Sequence, residues 1–209
     1  IFCRSSAVTY EWIEETDPEL FAEITRWIAR GRWCLVGGWW EQPDCNVPCG
    51  ESFVRQGLYG QRYFLSKFGK AAQTGYNPDT FGHAGALPQI LSKQGMRQYC
   101  FFRPDQQEKE LPSIIFRWES LDGSSVLAAR MPGPYGTWPD EIVQRISDAA
   151  AQVPKGHQAT MTFYGVGNHG GGPTQVNLQS LQQVAADPAG PKAVLSHPDP
   201  SLHPIPSEP

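Results

Sequence analysis

The sequence has few charged residues, little excess of either sign and no long apolar segment. Charged residues make up 18% of the 209 residues, and the formal net charge is -4. No basic patch stands out, which argues against nucleic acid or an anionic membrane as a partner. No apolar run reaches the roughly 18 residues of a membrane-spanning helix, so no membrane partner is expected. Hydrophobic residues make up 40%, which is enough for a folded core.

The five cysteines form no recognisable disulfide framework. Cys45 and Cys49 have the spacing of half a metal knuckle, but no second Cys/His pair has matching spacing. A structural zinc knuckle is therefore disfavoured. Free thiols in a reducing compartment are the better interpretation, and we expect a cytoplasmic location.

Apolar periodicity predicts alternating strands and helices along most of the chain. Strands are predicted at residues 2–12, 33–36, 75–79, 98–103, 114–119, 125–130, 160–164 and 194–195. Helices are predicted at residues 16–30, 51–68, 85–94, 139–151 and 174–186. Strand–loop–helix units with short connections are typical of a parallel α/β sheet or barrel. In both architectures, sites lie beyond the carboxyl ends of the strands.

Asp79 follows one of these predicted strands, within the run 77–82 (Asn-Pro-Asp-Thr-Phe-Gly). A carboxylate at the carboxyl end of a strand points into the mouth of the sheet, where it can attack a substrate or coordinate a metal. Asp is also a good capping residue for the helix predicted to begin near residue 84 or 85. Spacing alone supports a catalyst and a helix cap about equally.

Residues 165–174 form a glycine-rich loop before the last predicted helix. The loop lacks the Gly-Lys-Ser/Thr ending of a nucleotide phosphate loop. Gly165, Gly167 and Gly170 match the spacing of a dinucleotide fingerprint, but no acidic residue follows about 20 positions later at a strand end, which disfavours that role. His169 is a candidate sugar hydrogen-bond donor or metal ligand, and the alternative is an exposed loop residue.

Aromatic residues are abundant, with seven Trp and seven Tyr, and several lie beside Gly or Pro. Aromatic loops often form stacking walls for flat apolar ligand faces, including those of sugars. The loop with Trp39, Trp40, Glu41 and Asp44 fits either a sugar platform with hydroxyl-binding carboxylates or a packed loop with solvated acids. Tyr135 has the same two interpretations, which the sequence does not separate.

Several long motifs occur in a recognisable order. They are residues 37–44 (Gly-Gly-Trp-Trp-Glu-Gln-Pro-Asp), 48–56, 58–64, 78–82, 86–91 and the glycine-rich loop at 165–174. In this order the motifs resemble glycoside hydrolase family 38, the α-mannosidases, and the last is similar to the loop of the bacterial-type branch. The resemblance covers the chain to about Pro198.

The resemblance implies a fold and an activity. The expected fold is α/β, as part of a seven-stranded (β/α) barrel with mostly parallel strands. Residues 1–198 are expected to form part of the catalytic domain, and residues 199–209 an irregular tail. The expected reaction is hydrolysis of terminal α-mannosyl residues of a mannose-containing glycan, by a retaining, zinc-assisted double displacement.

The resemblance also implies roles for individual residues. Asp79 aligns with the family's nucleophile, which is also a ligand of the one Zn2+ ion. Phe81 matches a residue near the bound mannose. Trp40 and Tyr135 fall in loops expected to line the substrate site. Substrate-binding roles are also expected for two residues of the glycine-rich loop, Asn168 and His169.

The chain departs from the family pattern in its zinc ligands and in its acid/base residue. The family's first strand supplies a His-x-Asp pair to the zinc and a later His-Asp motif supplies the fourth ligand, but neither is found at its place here. We therefore expect a fragment in which Asp79 is one of four ligands and zinc binds poorly. Asn168 stands where the family often has Asp, and an amide does not donate a proton as a carboxylic acid does. Either another residue serves as the acid, or Asn168 marks a variant branch or a weakened site.

Two other functions compete with glycosidase activity. The first is a non-catalytic sugar-binding relic of the same fold. The absent zinc ligands and Asn168 favour it, and the intact Asp79 motif disfavours it. The second is a nucleotide-binding α/β domain, which rests on the glycine-rich loop alone.

Overall fold

The computed structural model describes residues 1–138, 140–166, 172–190 and 192–198. Its strands are β1 Phe2–Arg4, β2 Trp33–Leu35, β3 Thr74–Asn77, β4 Gln98–Phe101, β5 Ile115–Glu119 and β6 Ser125–Arg130. Its helices are α1 Ala7–Thr16, α2 Pro18–Ala29, α3 Gly50–Phe68, α4 Leu87–Lys93, α5 Ile142–Ala151 and α6 Gln175–Ala186. The tail expected at 199–209 lies outside the described residues.

The strands of the described residues form two sheets. One sheet pairs β1 with β2 in parallel, and the other has four strands in the order β3-β4-β6-β5. Strands β3, β4 and β6 are parallel, whereas β5 and β6 form an antiparallel hairpin around residues 121–124. The α/β class with mostly parallel strands is therefore confirmed. These six strands do not close into a barrel, and the seven-stranded barrel stays a prediction.

Local signals set the ends of the longer helices. The Asp17 side chain accepts a hydrogen bond of 3.0 Å from the Leu20 N–H, and Pro18 occupies the first position of α2. Both features satisfy or avoid unpaired amide groups at a helix start. Helix α3 ends at Gly69, which has a left-handed φ of 65° that a side chain would make costly. Both boundaries agree with the sequence-based prediction.

Three predicted strands differ from the structure. Residues 2–12 are a strand only as far as Arg4, and α1 begins at Ala7 because Ala7 and Tyr10 are buried at helical spacing. In the described part of the chain, residues 160–164 and 194–195 lack a neighbouring strand to pair with. Gly165 makes only an isolated bridge with Thr137.

Two clusters of buried side chains hold the elements together. One lies among α1, α2, β2 and α3 and includes Tyr10, Ile28 and Phe64. The other joins α3 and α4 to β4 and includes Trp39 and Tyr99, both with no exposed surface. The second cluster lies directly under the loops that follow β2 and β3, and its buried side chains support both loops. Within the described residues, no helix combines the length and apolar character needed to cross a bilayer.

Candidate active site

Two loops meet at the carboxyl ends of β2 and β3. We call residues 36–49, between β2 and α3, the tryptophan loop, and residues 78–86, between β3 and α4, the Asp79 loop. The carboxyl ends of parallel strands are where α/β proteins place their ligand sites. The sequence motifs at 37–44 and 78–82 therefore lie side by side in the fold.

Asp79 forms an ion pair with Arg103. Asp79 lies two residues beyond β3 and Arg103 lies two residues beyond β4. Because β3 and β4 are parallel with Asn77 opposite Phe101, the two side chains reach the same level of the sheet edge. Arg103 Nε donates a hydrogen bond of 2.9 Å to Asp79 Oδ1. The side chains are 35% and 34% exposed, so solvent and ligands can reach the pair.

Asp79 is not a helix cap. Helix α4 begins at Leu87, eight positions later, with Ala86 at the cap position and no side-chain cap hydrogen bond. The capping alternative is therefore wrong. The carboxylate of Asp79 is available for a ligand rather than committed to a helix terminus.

Arg103 has further partners that hold its side chain in place. Its Nη1 donates a hydrogen bond of 2.9 Å to Glu108 Oε1. Its guanidinium group lies 5.6 Å from the ring centroid of Phe81 and 5.8 Å from that of Phe102, distances typical of cation–π contacts. The hydrogen bond to Asp79 and then the charge of Glu108 raise the pKa of Arg103. Arg103 thus presents a permanent positive charge to Asp79.

Asp44 of the tryptophan loop binds backbone groups of both loops. Its Oδ1 accepts hydrogen bonds from the N–H groups of Asn46 at 2.8 Å and Val47 at 2.9 Å. Its Oδ2 accepts a hydrogen bond of 3.2 Å from the N–H of Phe81. The hydrogen bonds from Val47 and Asn46 are the main reason that the pKa of Asp44 is lowered. Asp44 is therefore a carboxylate bound to backbone rather than a free hydroxyl-binding group.

A buried polar chain lies beneath the Asp79 loop. His83 Nε2 is 2.9 Å from Tyr99 Oη, and Tyr99 Oη is 3.4 Å from Cys45 Sγ. The rings of Tyr99, Phe101 and Trp118 surround the imidazole, with centroids 5.0–5.5 Å away. Burial lowers the pKa of His83 to about 4 and raises that of Cys45 to about 11. Both groups are neutral at pH 7.

A cavity of about 1000 Å³ opens beside Asp79. Asp79 and Tyr135 both line it, together with β1 and parts of residues 158–165 and 192–198. Phe81 is adjacent, with 70% of its surface exposed and with its ring next to Arg103. The structure therefore brings three of the predicted site residues to one region.

The other predicted substrate-binding residues are not brought to this cavity. Trp40 packs against Tyr63, with ring centroids 5.9 Å apart, on the edge of the core cluster of α1 to α3. Trp40 is not among the residues that line the cavity. Asn168 and His169 lie outside the described residues. The roles assigned to these residues stay predictions.

The described residues fit a zinc ion only in part. A carboxylate such as that of Asp79 is a ligand that zinc accepts. Within residues 1–138, 140–166, 172–190 and 192–198, however, no three His, Cys, Asp or Glu side chains are close enough together to hold a metal ion. Taken by themselves, the described residues therefore do not make a zinc site.

Sequence reasoning missed Arg103 and underestimated Asp44. Arg103 is separated from Asp79 by 24 positions, which equals the offset between paired residues of β3 and β4. This spacing predicts the contact between Asp79 and Arg103 only once the register of β3 and β4 is known. For Asp44 the sequence left two interpretations open, a hydroxyl-binding carboxylate or a solvated acid, and its backbone partners are visible only in three dimensions.

Comparison with known proteins identifies the family. The model of the glycosyl hydrolases family 38 N-terminal domain matches residues 1–205. The chain belongs to glycosyl hydrolase family 38. The sequence resemblance carried by residues 37–44 and 78–82 is thereby confirmed.

Among family 38 relatives, alpha-mannosidase 2C1 of Homo sapiens is 36% identical over 200 residues, which are 95% of this chain and 19% of the relative. Alpha-mannosidase G of Dictyostelium discoideum is 37% identical over 202 residues, which are 94% of this chain and 18% of the relative. The chain thus spans about a fifth of the length of these curated relatives.

A solved family 38 structure shows the same fold. The alpha-mannosidase from Enterococcus faecalis V583 superposes with a TM-score of 0.70 and 20% sequence identity, covering 87% of this chain and 21% of that one. At this identity the likeness concerns the fold. The arrangement of sheets and helices described above is therefore that of family 38.

Proposed function

We propose that this chain carries the nucleophile of an α-mannosidase that hydrolyses terminal α-mannosyl residues of glycans with retention of configuration. The observation that supports this most is the partly exposed carboxylate of Asp79, held by Arg103 at the edge of a large cavity. Membership of family 38 and relatives named as mannosidases support the substrate class. The same relatives do not favour a non-catalytic relic.

In the proposed reaction, Asp79 attacks the anomeric carbon of the mannosyl residue. The bond from that carbon to the leaving oxygen breaks, and a general acid supplies the proton that the leaving oxygen takes. Water then attacks the same carbon, loses a proton to the conjugate base and releases Asp79 as a carboxylate. Arg103 binds Asp79 Oδ1, so Oδ2 is the attacking oxygen in this proposal.

The proposed substrate contacts surround Asp79. Phe81 and Tyr135 offer aromatic faces for the apolar face of a sugar ring, since one lies beside Asp79 and the other lines the cavity. Trp40, Asn168 and His169 belong to the proposed binding site through the family resemblance. No acid/base residue is assigned, because the family's position for it carries Asn168.

In this proposal, the carboxylate of Asp79 is one ligand of the zinc ion. When bound, a zinc ion would grip sugar hydroxyls and stabilise developing charge. The seven-stranded barrel is likewise proposed as the fold to which the two sheets belong. The free thiols of Cys45 and Cys49 support a reducing, cytoplasmic location.

The nucleophile assignment is tested by Asp79→Asn in the purified full-length enzyme that contains this chain. We expect this variant to lose turnover of an aryl α-mannoside because an amide is too weak a nucleophile to form the glycosyl intermediate. Asp122→Asn is the matched control, because Asp122 lies in the β5–β6 hairpin and binds Ser124 and Lys93. Wild-type turnover in Asp79→Asn would refute the assignment, provided that both variants retain the wild-type circular dichroism spectrum.

A further inference from the structure

One carboxylate ties the tryptophan loop to the Asp79 loop. Asp44 Oδ1 closes a turn within its own loop by accepting the N–H groups of Asn46 and Val47. Asp44 Oδ2 accepts the N–H of Phe81 in the other loop at 3.2 Å. Oδ1 therefore stabilises a turn within the tryptophan loop, and Oδ2 joins this loop to the Asp79 loop.

Further hydrogen bonds join the same two loops on both sides of Asp79. On the upstream side, the Asn77 amide accepts from Trp39 Nε1 at 2.9 Å and donates to the Pro43 carbonyl at 3.0 Å. On the downstream side, Thr80 Oγ1 accepts the N–H of Cys45 at 2.7 Å. Asp79 is thus flanked by residues anchored to the tryptophan loop, while its own side chain points to Arg103.

Close packing leaves the loops little freedom to separate or slide. A Cβ added at Gly82, where φ is 110°, would lie 3.2 Å from Asn46 Nδ2, so the Asn46 side chain packs closely on the Gly82 backbone. The Cys45 carbonyl accepts the N–H of Ala84 at 2.6 Å. The interface between the loops is therefore continuous from Asn77 to Ala84.

Asp44 is not placed to bind a sugar itself. Three backbone N–H groups occupy its oxygens, and it is not among the residues that line the cavity at Asp79. Its charge-assisted hydrogen bonds are stronger than those of a neutral acceptor. The geometry suits a carboxylate that holds backbone in place.

We propose that Asp44 is a positioning residue for the reaction: by holding the Phe81 N–H, its carboxylate fixes the Asp79 loop and so sets the direction in which Asp79 faces the cavity. This inference rests on the proposed function of Asp79 as nucleophile. Productive attack requires the reacting atoms to be placed within fractions of an ångström, so a loosened loop lowers the rate more than it weakens substrate binding.

The test is the substitution Asp44→Asn, which separates the two tasks of the carboxylate. The amide oxygen of Asn retains an acceptor for Asn46 and Val47, whereas its NH2 group does not accept from the Phe81 N–H. We expect kcat for an aryl α-mannoside to fall roughly ten- to a hundredfold, with KM changed less than about twofold. Asp122→Asn, in an equivalent turn remote from the cavity, is expected to leave both constants unchanged.

If Asp44→Asn does not fold, a second pair of variants tests another hydrogen bond between the same two loops. Thr80→Val keeps the shape of the side chain but removes the acceptor for the Cys45 N–H, and Thr80→Ser restores it. We expect Thr80→Val to lower kcat with KM retained, and Thr80→Ser to recover most of the rate.

Measuring Asp79→Asn in parallel separates the two proposals. Turnover by Asp79→Asn would reject the proposed nucleophile. An inactive Asp79→Asn together with a wild-type kcat in Asp44→Asn would overturn the positioning role alone. A raised KM with unchanged kcat in Asp44→Asn would also overturn it, because that result assigns Asp44 to substrate binding.

Discussion

His83 is four positions beyond Asp79, and its imidazole is largely removed from water. It bonds to Tyr99 Oη at 2.9 Å and is enclosed by aromatic rings. Burial lowers the pKa of His83 to about 4, although the negative charge of Asp44 opposes the shift. His83, within the Asp79 loop, is therefore neutral in the folded protein.

Because the pKa of His83 is lowered in the folded state, this residue makes the free energy of unfolding depend on pH. In the unfolded chain His titrates near 6.5. Between about pH 6.5 and pH 4 the unfolded chain thus binds a proton that the folded chain does not. The stability that neutral His83 provides is complete above about pH 6.5 and is lost as the pH falls. Between pH 7 and pH 5 we expect the wild type to lose about 2 kcal/mol more unfolding free energy than His83→Gln.

Urea unfolding of both proteins at the two pH values measures this difference. Other groups that titrate in this range contribute equally to both proteins and cancel in the comparison. Equal losses in the wild type and in His83→Gln would contradict a buried neutral histidine.

At the scale of elements, α3 supports the tryptophan loop through a close approach of two backbones. Gly60 in α3 faces this loop, and a Cβ added there would lie 2.4 Å from the Trp39 carbonyl carbon and 2.5 Å from the Gly38 carbonyl oxygen. Neither contact is with a flexible side chain. The helix therefore reaches its position only because residue 60 has no side chain.

We expect Gly60→Ala to destabilise the protein by about 1–3 kcal/mol, because the helix or the loop must move to admit the methyl group. Gly50→Ala is the matched control in the same helix, since a Cβ at Gly50 meets nothing within 4 Å. The control is expected to be as stable as the wild type or slightly more stable, because Ala favours a helix over Gly. Urea denaturation of the two variants provides the measurement. Equal stability of both would show that α3 does not approach the loop so closely.

At the scale of the whole molecule, the reactivity of the cysteines measures how well the fold shields its interior from solvent. Cys45 and Cys49 are free thiols; Cys49 is exposed, whereas Cys45 and Cys100 are buried. Hydrogen bonds from Ser52 lower the pKa of the Cys49 thiol, whereas burial raises that of Cys45 to about 11. The thiolate is the reactive form of cysteine. The lower pKa of Cys49 therefore makes it more reactive than Cys45, in addition to its greater exposure.

In the native protein we expect a thiol-reactive dye to label Cys49 first, and to label Cys45 and Cys100 only after unfolding. Mass spectrometry of peptides after timed labelling identifies the order. Cys45 and Cys49 should both react in denaturant without a reducing agent. Rapid native labelling of Cys45 would contradict the burial of the second core cluster.

Part of this architecture could be predicted because its signals are local. Asp17 and Pro18 mark the start of α2, and Gly69 marks the end of α3, through contacts only a few residues apart. The hairpin between β5 and β6 follows from its turn residues in the same way. Local periodicity failed at residues 7–12, where contacts of Ala7 and Tyr10 with distant helices decide for a helix rather than a strand.

The sequence by itself determined the family and selected Asp79, since the order of several motifs is specific without any knowledge of contacts. Only the tertiary structure decided that Asp79 faces Arg103, that Asp44 binds backbone and that Trp40 packs on Tyr63. The reason is that these contacts join segments 23 to 37 positions apart. The register of parallel strands and the packing of loops on the core set such distances, and neither can be read from neighbouring residues.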